Sequence, residues 1–592
     1  MTAAVPRWLV PALLPAVALF CLPVLSTFQS AKALLAGPVV AALLFATRRR
    51  PGERAPGLGS LRPAFLLYLA LSLPALLRAV SPAAAAQELW FDLLFAAAAL
   101  VGARLPPAAA PGAVLSSIAF AAAAAAVVAL VERFGASLGA GALAHAGTMG
   151  NPDFAATVVA LGVPATAWRL AAASTRSRRA AACALAALLP AALVHLESLA
   201  AWIAAGTGLS AFGLVLLAGH DRRRLALLGA AVLALGAAAT LAAPGVRERW
   251  RGRAFLAEAA LDAASRAPLA GHGLGGFPRA HLDAQGRVLS GDPELAPLWT
   301  RALHAHNEPL HALVERGALG LAGLLVVWLA VAAGVVRGLR RCRSDVRGPS
   351  RDEAESGGPT VSSVAGLAGV AVAWLALALA GFPGHLVPAQ LALGLVAGAA
   401  VAAGRRDPGS VVPDDAGSGP RNRSAAIPAG LRWAAAVALG VTLAAVPCWL
   451  SAADALFVAG RPAAALAVNP WHGGAALALG ASEQGGRAPT GCAFLARASR
   501  LAPSPAAELA LGNCLSRRGS LPQAAAAFAQ AVRWNPRSAA AQGNLAVLLA
   551  RLGDSTAAKR HAARARSLRP GDRHILTLER WVREATDARG AE

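Results

Sequence analysis

The chain has 592 residues, 56% of them hydrophobic, with a mean hydropathy of +0.53. Its formal charge is +24, from 55 Lys and Arg against 31 Asp and Glu. Repeated apolar runs of ~20 residues exclude an ordinary soluble domain, and with no zinc spacing and no phosphate-cradling glycine loop, nothing but charge speaks for nucleic acid, which is not expected as a partner.

Apolar length predicts an all-α, polytopic transmembrane bundle of about 12–13 spans. They fall at 8–26, 31–47, 61–80, 88–103, 112–132, 153–171, 180–196, 199–219, 224–243, 317–337, 362–382, 384–403 and 431–450. The first run has the length of a signal-peptide core, but another follows at once from Ala31, so we read a retained span. Arginine clusters fix the orientation. Arg48, Arg49, Arg50 and Arg54 follow the second span, Arg176, Arg178 and Arg179 the sixth, and Arg222, Arg223 and Arg224 the eighth. Arg337, Arg340, Arg341 and Arg343 follow the tenth, and Arg405 and Arg406 the twelfth. Each cluster follows an even-numbered span, which predicts a cytoplasmic N-terminus. The same parity places 133–152, the corner at Glu197, the loop 244–316 and everything after 451 outside. The chain then divides into N-terminal helices (1–243), an outer loop (244–316), C-terminal helices (317–403), a cytoplasmic linker (404–430), a last span (431–450) and a tail (453–592).

In the tail, Pro470, Pro503, Pro536 and Pro570 recur at spacings of 33, 33 and 34. A period near 34 is that of tetratricopeptide repeats, helix hairpins that bury their apolar faces by stacking on neighbours. Leu511, Gly512, Ala524, Phe528 and Ala531 fit one unit; Leu545, Ala558 and Ala565 fit the next. Such repeats bind peptides, so a protein partner or acceptor is expected there. Cys21, Cys183, Cys342 and Cys448 lie in or beside spans and are read as small core residues. Cys492 and Cys514 fall in the tail, where a disulfide and unpaired packing are both open.

The outer loop holds the chemistry. It carries Arg247, Arg249, Arg251, Arg253, Arg266, Arg279, Arg287 and Arg301, and long loops are exempt from the orientation rule. So much positive charge outside suggests an anionic substrate. The loop ends in His306-Asn307, nine residues, then Gly317-Ala318-Leu319-Gly320 at the head of a span. An imidazole at a membrane surface beside many guanidinium groups suits chemistry on a lipid-linked anion. His304 and His311 are read as bystanders, although His304 is placed to assist.

Three phrases follow in order: Arg253 opening a helix, Pro268-Leu269-Ala270-Gly271-His272-Gly273-Leu274-Gly275-Gly276-Phe277, and the His306-Asn307 motif with Glu315 before Gly317. Here the chain resembles the O-antigen ligase and O-antigen polymerase superfamily of bacterial envelope glycosyltransferases. Gly147-Thr148-Met149-Gly150-Asn151-Pro152 is similar to an element that opens a span in that family, and the resemblance covers roughly residues 8–403. It implies transfer of a glycan from a polyprenyl diphosphate to an acceptor at the periplasmic face of the bacterial inner membrane. Arg253 would meet the diphosphate with its charged fork, Arg249 and Arg251 would assist, and His306 would take the acceptor proton or hold the diphosphate. Asn307, Glu315, Glu197 and Asn151 are candidate substrate contacts. Asn151 is equally a helix cap. Gly273 and Gly275 are candidate phosphate cradles, or a plain turn. Neither a metal nor a cofactor is expected, since Arg clamps the phosphates. One departure stands out: where the family commonly has Ser-Arg-Gly, this chain has Ser198-Leu199-Ala200. Leu199 keeps open a second reading, a catalytically weakened membrane scaffold that uses its tail for polysaccharide assembly. A transporter is a third reading, but no internal repeat marks the membrane part.

Overall fold

The structure is a computed structural model, and it describes residues 9–22, 25, 27–47, 57–133, 147–216, 238, 246–345, 359–405, 429–482 and 490–589. Every regular element among them is a helix. The first eight expected spans form α1 (Leu9–Leu19), α2 (Phe28–Ala46), α3 (Leu61–Leu77), α4 (Pro82–Arg104), α5 (Ala110–Arg133), α6 (Pro152–Ala171), α7 (Arg176–Leu196) and α8 (Leu199–Leu216). The ninth, 224–243, lies outside the described residues, apart from residue 238, as do the arginine clusters at 48–54 and 222–224. The segment expected outside the membrane, called the outer segment from here on, contributes α9 (Val246–Arg266) and α10 (Phe277–Gly291). Then come α11 (Glu308–Asp345), α12 (Val361–Ala380), α13 (Val387–Ala403) and α14 (Ala429–Val458). By length and composition, nine helices among the described residues can cross a membrane, and α1, α3 and α13 are shorter apolar helices.

The chain marks its own helix starts. Thr27, Ser81, Asn151, Thr175 and Thr360 each precede an apolar run and accept a backbone N–H of its first turn. These caps satisfy donors that have no partner within the helix. Pro82 and Pro152 fill first-turn positions where no N–H is needed. Packing then relies on small residues. α13 lies along α4, α12 along α8, α11 along α3 and α14 along α2. Gly394 sits so close to α4 that a Cβ there would come within 2.6 Å of the Phe95 carbonyl oxygen. With Gly398 it forms a Gly-x-x-x-Gly face, which lets backbones approach where lipid offers no hydrophobic drive.

Two boundaries differ from the sequence expectation. α11 begins at Glu308, not at Gly317, because residues 308–316 are helical; Gly317 breaks the helix with φ 65° and ψ −169°. α14 runs past 450 to Val458, so the last span continues into the tail. The tail adds α15 (Pro462–Val468), α16 (Gly473–Ser482), α17 (Thr490–Leu501), α18 (Pro505–Arg517), α19 (Leu521–Trp534), α20 (Ala539–Leu552), α21 (Ser555–Leu568) and α22 (Arg573–Arg589). α16 packs on α17, α18 on α19 and α20 on α21. The four periodic prolines fall at the joints before α16, α18, α20 and α22. Cys492 and Cys514 are disulfide-bonded, linking α17 to α18.

The tail is not free of the outer segment. α19 rests on α10. The fully buried Trp534 donates its Nε1–H to Asp283 Oδ1 at 2.6 Å, and Gln530 donates to the same oxygen at 3.1 Å. Trp299 donates to the Trp534 carbonyl at 2.6 Å, and the Arg279 guanidinium lies 5.6 Å from the Trp534 ring centroid.

His281 on α10 is fully buried and stacked on Phe277, with ring centroids 5.6 Å apart. Burial pulls its imidazole down to about 4, against a smaller upward pull from the Thr300 backbone nearby. The folded value lies below the unfolded one, so protons favour the unfolded chain. The stabilising contribution is full above about 6.5 and is lost as pH falls towards 4. We expect the melting temperature of the outer segment to fall over that window, and the fall to be shallower in His281→Leu. Differential scanning calorimetry at stepped pH checks this; equal slopes would refute it.

Candidate functional site

α9 delivers Arg253 to the N-terminal end of α6 and the C-terminal end of α12. Its guanidinium pairs with Asp153 at 3.2 Å and donates to the Ala380 carbonyl at 3.1 Å, with Trp250 stacked nearby at 5.2 Å. His306 arrives from the other end of the outer segment. The two side chains line one pocket of about 30 Å³, together with Asn151, Asp153, Ser198 and Phe382. His306 meets the Phe382 ring edge-on, with centroids 4.8 Å apart. Burial, with Arg253 beside it, lowers the imidazole to about 4 despite Asp153, so it is neutral at physiological pH. A groove of about 660 Å³ adjoins this pocket through Asn151 and Asp153, and adds Arg133, His195, Glu197 and Arg249.

Among the described residues, two non-glycine residues have positive φ, and both are here: Glu197 and His306, each at 50°. A side chain held in the left-handed region costs about 1–3 kcal/mol and concentrates at functional sites. Glu197 forms the corner between α7 and α8, and its carboxylate lies 3.7 Å from Arg249. Thus a guanidinium from α9 reaches the corner that leads into Leu199.

Several other residues singled out from sequence make contacts within the protein. Glu315 is 1% exposed. Its two carboxylate oxygens accept the backbone N–H groups of Gly275 and Phe277, each at 3.0 Å. It braces the glycine turn from behind and does not face the groove. Gly273 donates its N–H to the Glu315 carbonyl, so neither Gly273 nor Gly275 has a backbone N–H to offer a phosphate. Their φ values of 98° and 71° explain why glycine stands there. Asn307 caps α11 through Leu310 N–H and donates to the Leu379 carbonyl. Asn151 caps α6 while lining both the pocket and the groove. Arg251 is largely exposed and pairs with Glu248, outside the pocket.

Behind Phe382 lies a polar cluster that sequence reasoning missed. His304 stacks on Phe382 with centroids 4.6 Å apart. His311, read as a bystander, is 4% exposed, and its ring centroid lies 4.7 Å from that of His385. His385 Nε2 is 2.9 Å from Glu88 and Nδ1 is 3.3 Å from Glu308. Burial lowers the His385 imidazole, but Glu88 and Glu308 outweigh it and hold it well above its ordinary value. Arg316 pairs with Asp92 at 2.9 Å and approaches Glu88 at 3.9 Å; Tyr68 donates to Asp92. The available signal was Glu88 and Asp92, four apart in an apolar run, since ionisable residues in a span are expensive and face partners.

A family model described as O-antigen ligase matches residues 183–325. The matched stretch contains Glu197, Arg249, Arg253 and His306. No curated protein matches the chain. With the apolar helices, the match supports a multi-pass membrane protein of glycosyltransferase type that acts in polysaccharide assembly.

Proposed function

We propose that the chain moves a glycan from a polyprenyl diphosphate carrier to an acceptor at the periplasmic face of the bacterial inner membrane. The observation that carries this reading is the meeting of Arg253 and His306, from opposite ends of the outer segment, in one pocket beside a groove edged by Arg249. The acceptor oxygen attacks the anomeric carbon as the bond to the diphosphate oxygen breaks. Negative charge grows on that leaving oxygen, and Arg253, released from Asp153, meets it with a fixed guanidinium fork. His306, neutral in the free site, takes the acceptor proton, or donates its N–H to the diphosphate. Arg249, paired with Glu197, supplies the charge that Leu199 does not. In this reading the transfer itself needs no metal. The disulfide between Cys492 and Cys514 suits an oxidising compartment outside the cytoplasm. The tail's period suits tetratricopeptide repeats, which would bind a protein partner or acceptor.

The test is glycan transfer in a deletion strain complemented with wild type, Arg253→Ala, His306→Ala or His306→Gln at equal expression. We expect Arg253→Ala to lose about 10²–10³-fold, as for other groups that stabilise developing charge. His306→Ala should lose about 10²–10⁴-fold. Glutamine keeps a hydrogen bond but cannot act as a base, so its rescue would assign His306 to the diphosphate. Full complementation by both alanine variants would refute the enzyme and leave the scaffold reading.

A further inference from the structure

We propose that His304, His311, His385 and Glu88 bind a divalent transition-metal ion of zinc's class, as a structural clamp behind Phe382. This goes beyond the transfer reading and does not depend on it. The donor set comes first. The ring nitrogens of His304, His311 and His385 lie within 4.8 Å of one another. So do His311, Glu88 and Glu315. His311 therefore belongs to both sets, and Glu88 touches His385 at 2.9 Å. Zinc–nitrogen and zinc–oxygen bonds of about 2.0–2.2 Å in a tetrahedral site put ligand atoms about 3.3–3.6 Å apart. Small side-chain movements close that difference.

The second observation is the state of His311. It is 4% exposed, and neither ring nitrogen has a hydrogen-bond partner among the described residues. His304 Nδ1 is likewise buried without one. Buried polar atoms are seldom left so, because losing water without replacement is costly. One ring nitrogen of each histidine takes part in the three-histidine group, and His311 and His385 line a cavity of about 60 Å³. A hydroxyl or amide ligand would answer one of them; a metal ion answers several at once.

Charge points the same way. Glu88, Asp92, Glu308 and Glu315 are all linked into this cluster, whereas Arg316 supplies its permanent positive charge. A divalent cation adds positive charge where four carboxylates share one guanidinium. The surroundings also resemble an outer ligand shell. His385 holds Glu308 on Nδ1, leaving Nε2 for the metal, and that pattern fixes ligand orientation in metal sites. The ion would take the place of the proton that His385 shares with Glu88. It would then join α4, α11 and the 383–385 corner between α12 and α13, and so set the position of Phe382 against which His306 rests.

The full chain, purified in detergent through a histidine-free tag, is analysed for bound metals by mass spectrometry. Its thermal unfolding is followed after chelation and after return of zinc alone. We expect about one metal ion per chain, a melting temperature that falls on chelation and recovers with zinc, and neither effect in His311→Ala. X-ray absorption at the metal edge on the wild type keeps the proposal testable should that variant fail to fold. Nitrogen and oxygen neighbours near 2.0–2.1 Å without sulfur support the site, and sulfur neighbours assign the ion to cysteines instead. A wild-type chain that carries no metal and does not respond to zinc overturns the proposal, leaving a shared proton to hold the cluster. Because the readouts are metal content and melting, failure of the transfer reading would leave them unchanged.

Discussion

Glu315→Ala is expected to abolish transfer and to loosen the outer segment, although the residue never faces the groove. Its carboxylate holds Gly275 and Phe277 by their backbone N–H groups, in a place closed to water. Removing it leaves two buried donors without acceptors, at about 1–3 kcal/mol each. The turn cannot compensate by shifting. Gly273 packs against the Arg78 backbone so closely that even a Cβ would come within 2.6 Å of its carbonyl oxygen. Hydrogen exchange should show residues 271–277 losing protection while the membrane helices keep theirs. Glu315→Gln should retain part of the function, since its carbonyl still accepts one N–H. Unchanged exchange in the alanine variant would show that the turn stands without its brace. Substrate contact by Glu315 predicts the reverse pattern, with transfer lost and protection unchanged.

Trp534→Ala is expected to undock the tail from the outer segment. The ring is fully buried, its Nε1–H is tied to Asp283, and its carbonyl accepts from Trp299. Truncating a large buried aromatic costs roughly 3–5 kcal/mol, which exceeds what the remaining polar contacts can supply. Limited proteolysis should then cut between the tail and the bundle sooner, and α10 should exchange faster. Asp283→Asn keeps an acceptor for the ring N–H and should behave much closer to wild type. If the alanine variant resists protease like wild type, the docking is incidental.

The bundle was legible because its signals are local. Apolar runs of spanning length, several of them preceded by a capping serine, threonine or asparagine, give the helices without knowledge of their neighbours. The proline period likewise marked the joints of the tail. The start of α11 was hidden because residues 308–316 interleave four ionisable side chains with apolar ones, and the partners that bury those side chains, Asp92, His385 and the glycine turn, are distant in sequence. Arg253 and His306 were legible as a motif, and their meeting in one pocket follows from the fold. The bracing contacts of Glu315 were not legible, because a carboxylate beside a glycine turn looks the same in sequence whether it faces substrate or holds the turn from behind. The cluster at His385 was invisible for a plainer reason. Glu88 lies 297 residues before its partner, and Asp283 lies 251 before Trp534. Pairing across such distances leaves no periodicity to read.

α14 passes from the membrane into the tail without a break, and the tail returns to α10 some 80 residues further along. The outer segment is itself tethered to the bundle at both ends. The protein therefore closes a loop in space, with one link covalent and the other a single tryptophan socket. Closure within one chain raises the effective concentration of the two surfaces, up to millimolar for short tethers. A contact too small to join two separate molecules can thus stay shut in this one. The tail's remaining surface is held at a fixed distance from Arg253 and His306, as a jig is held to the tool.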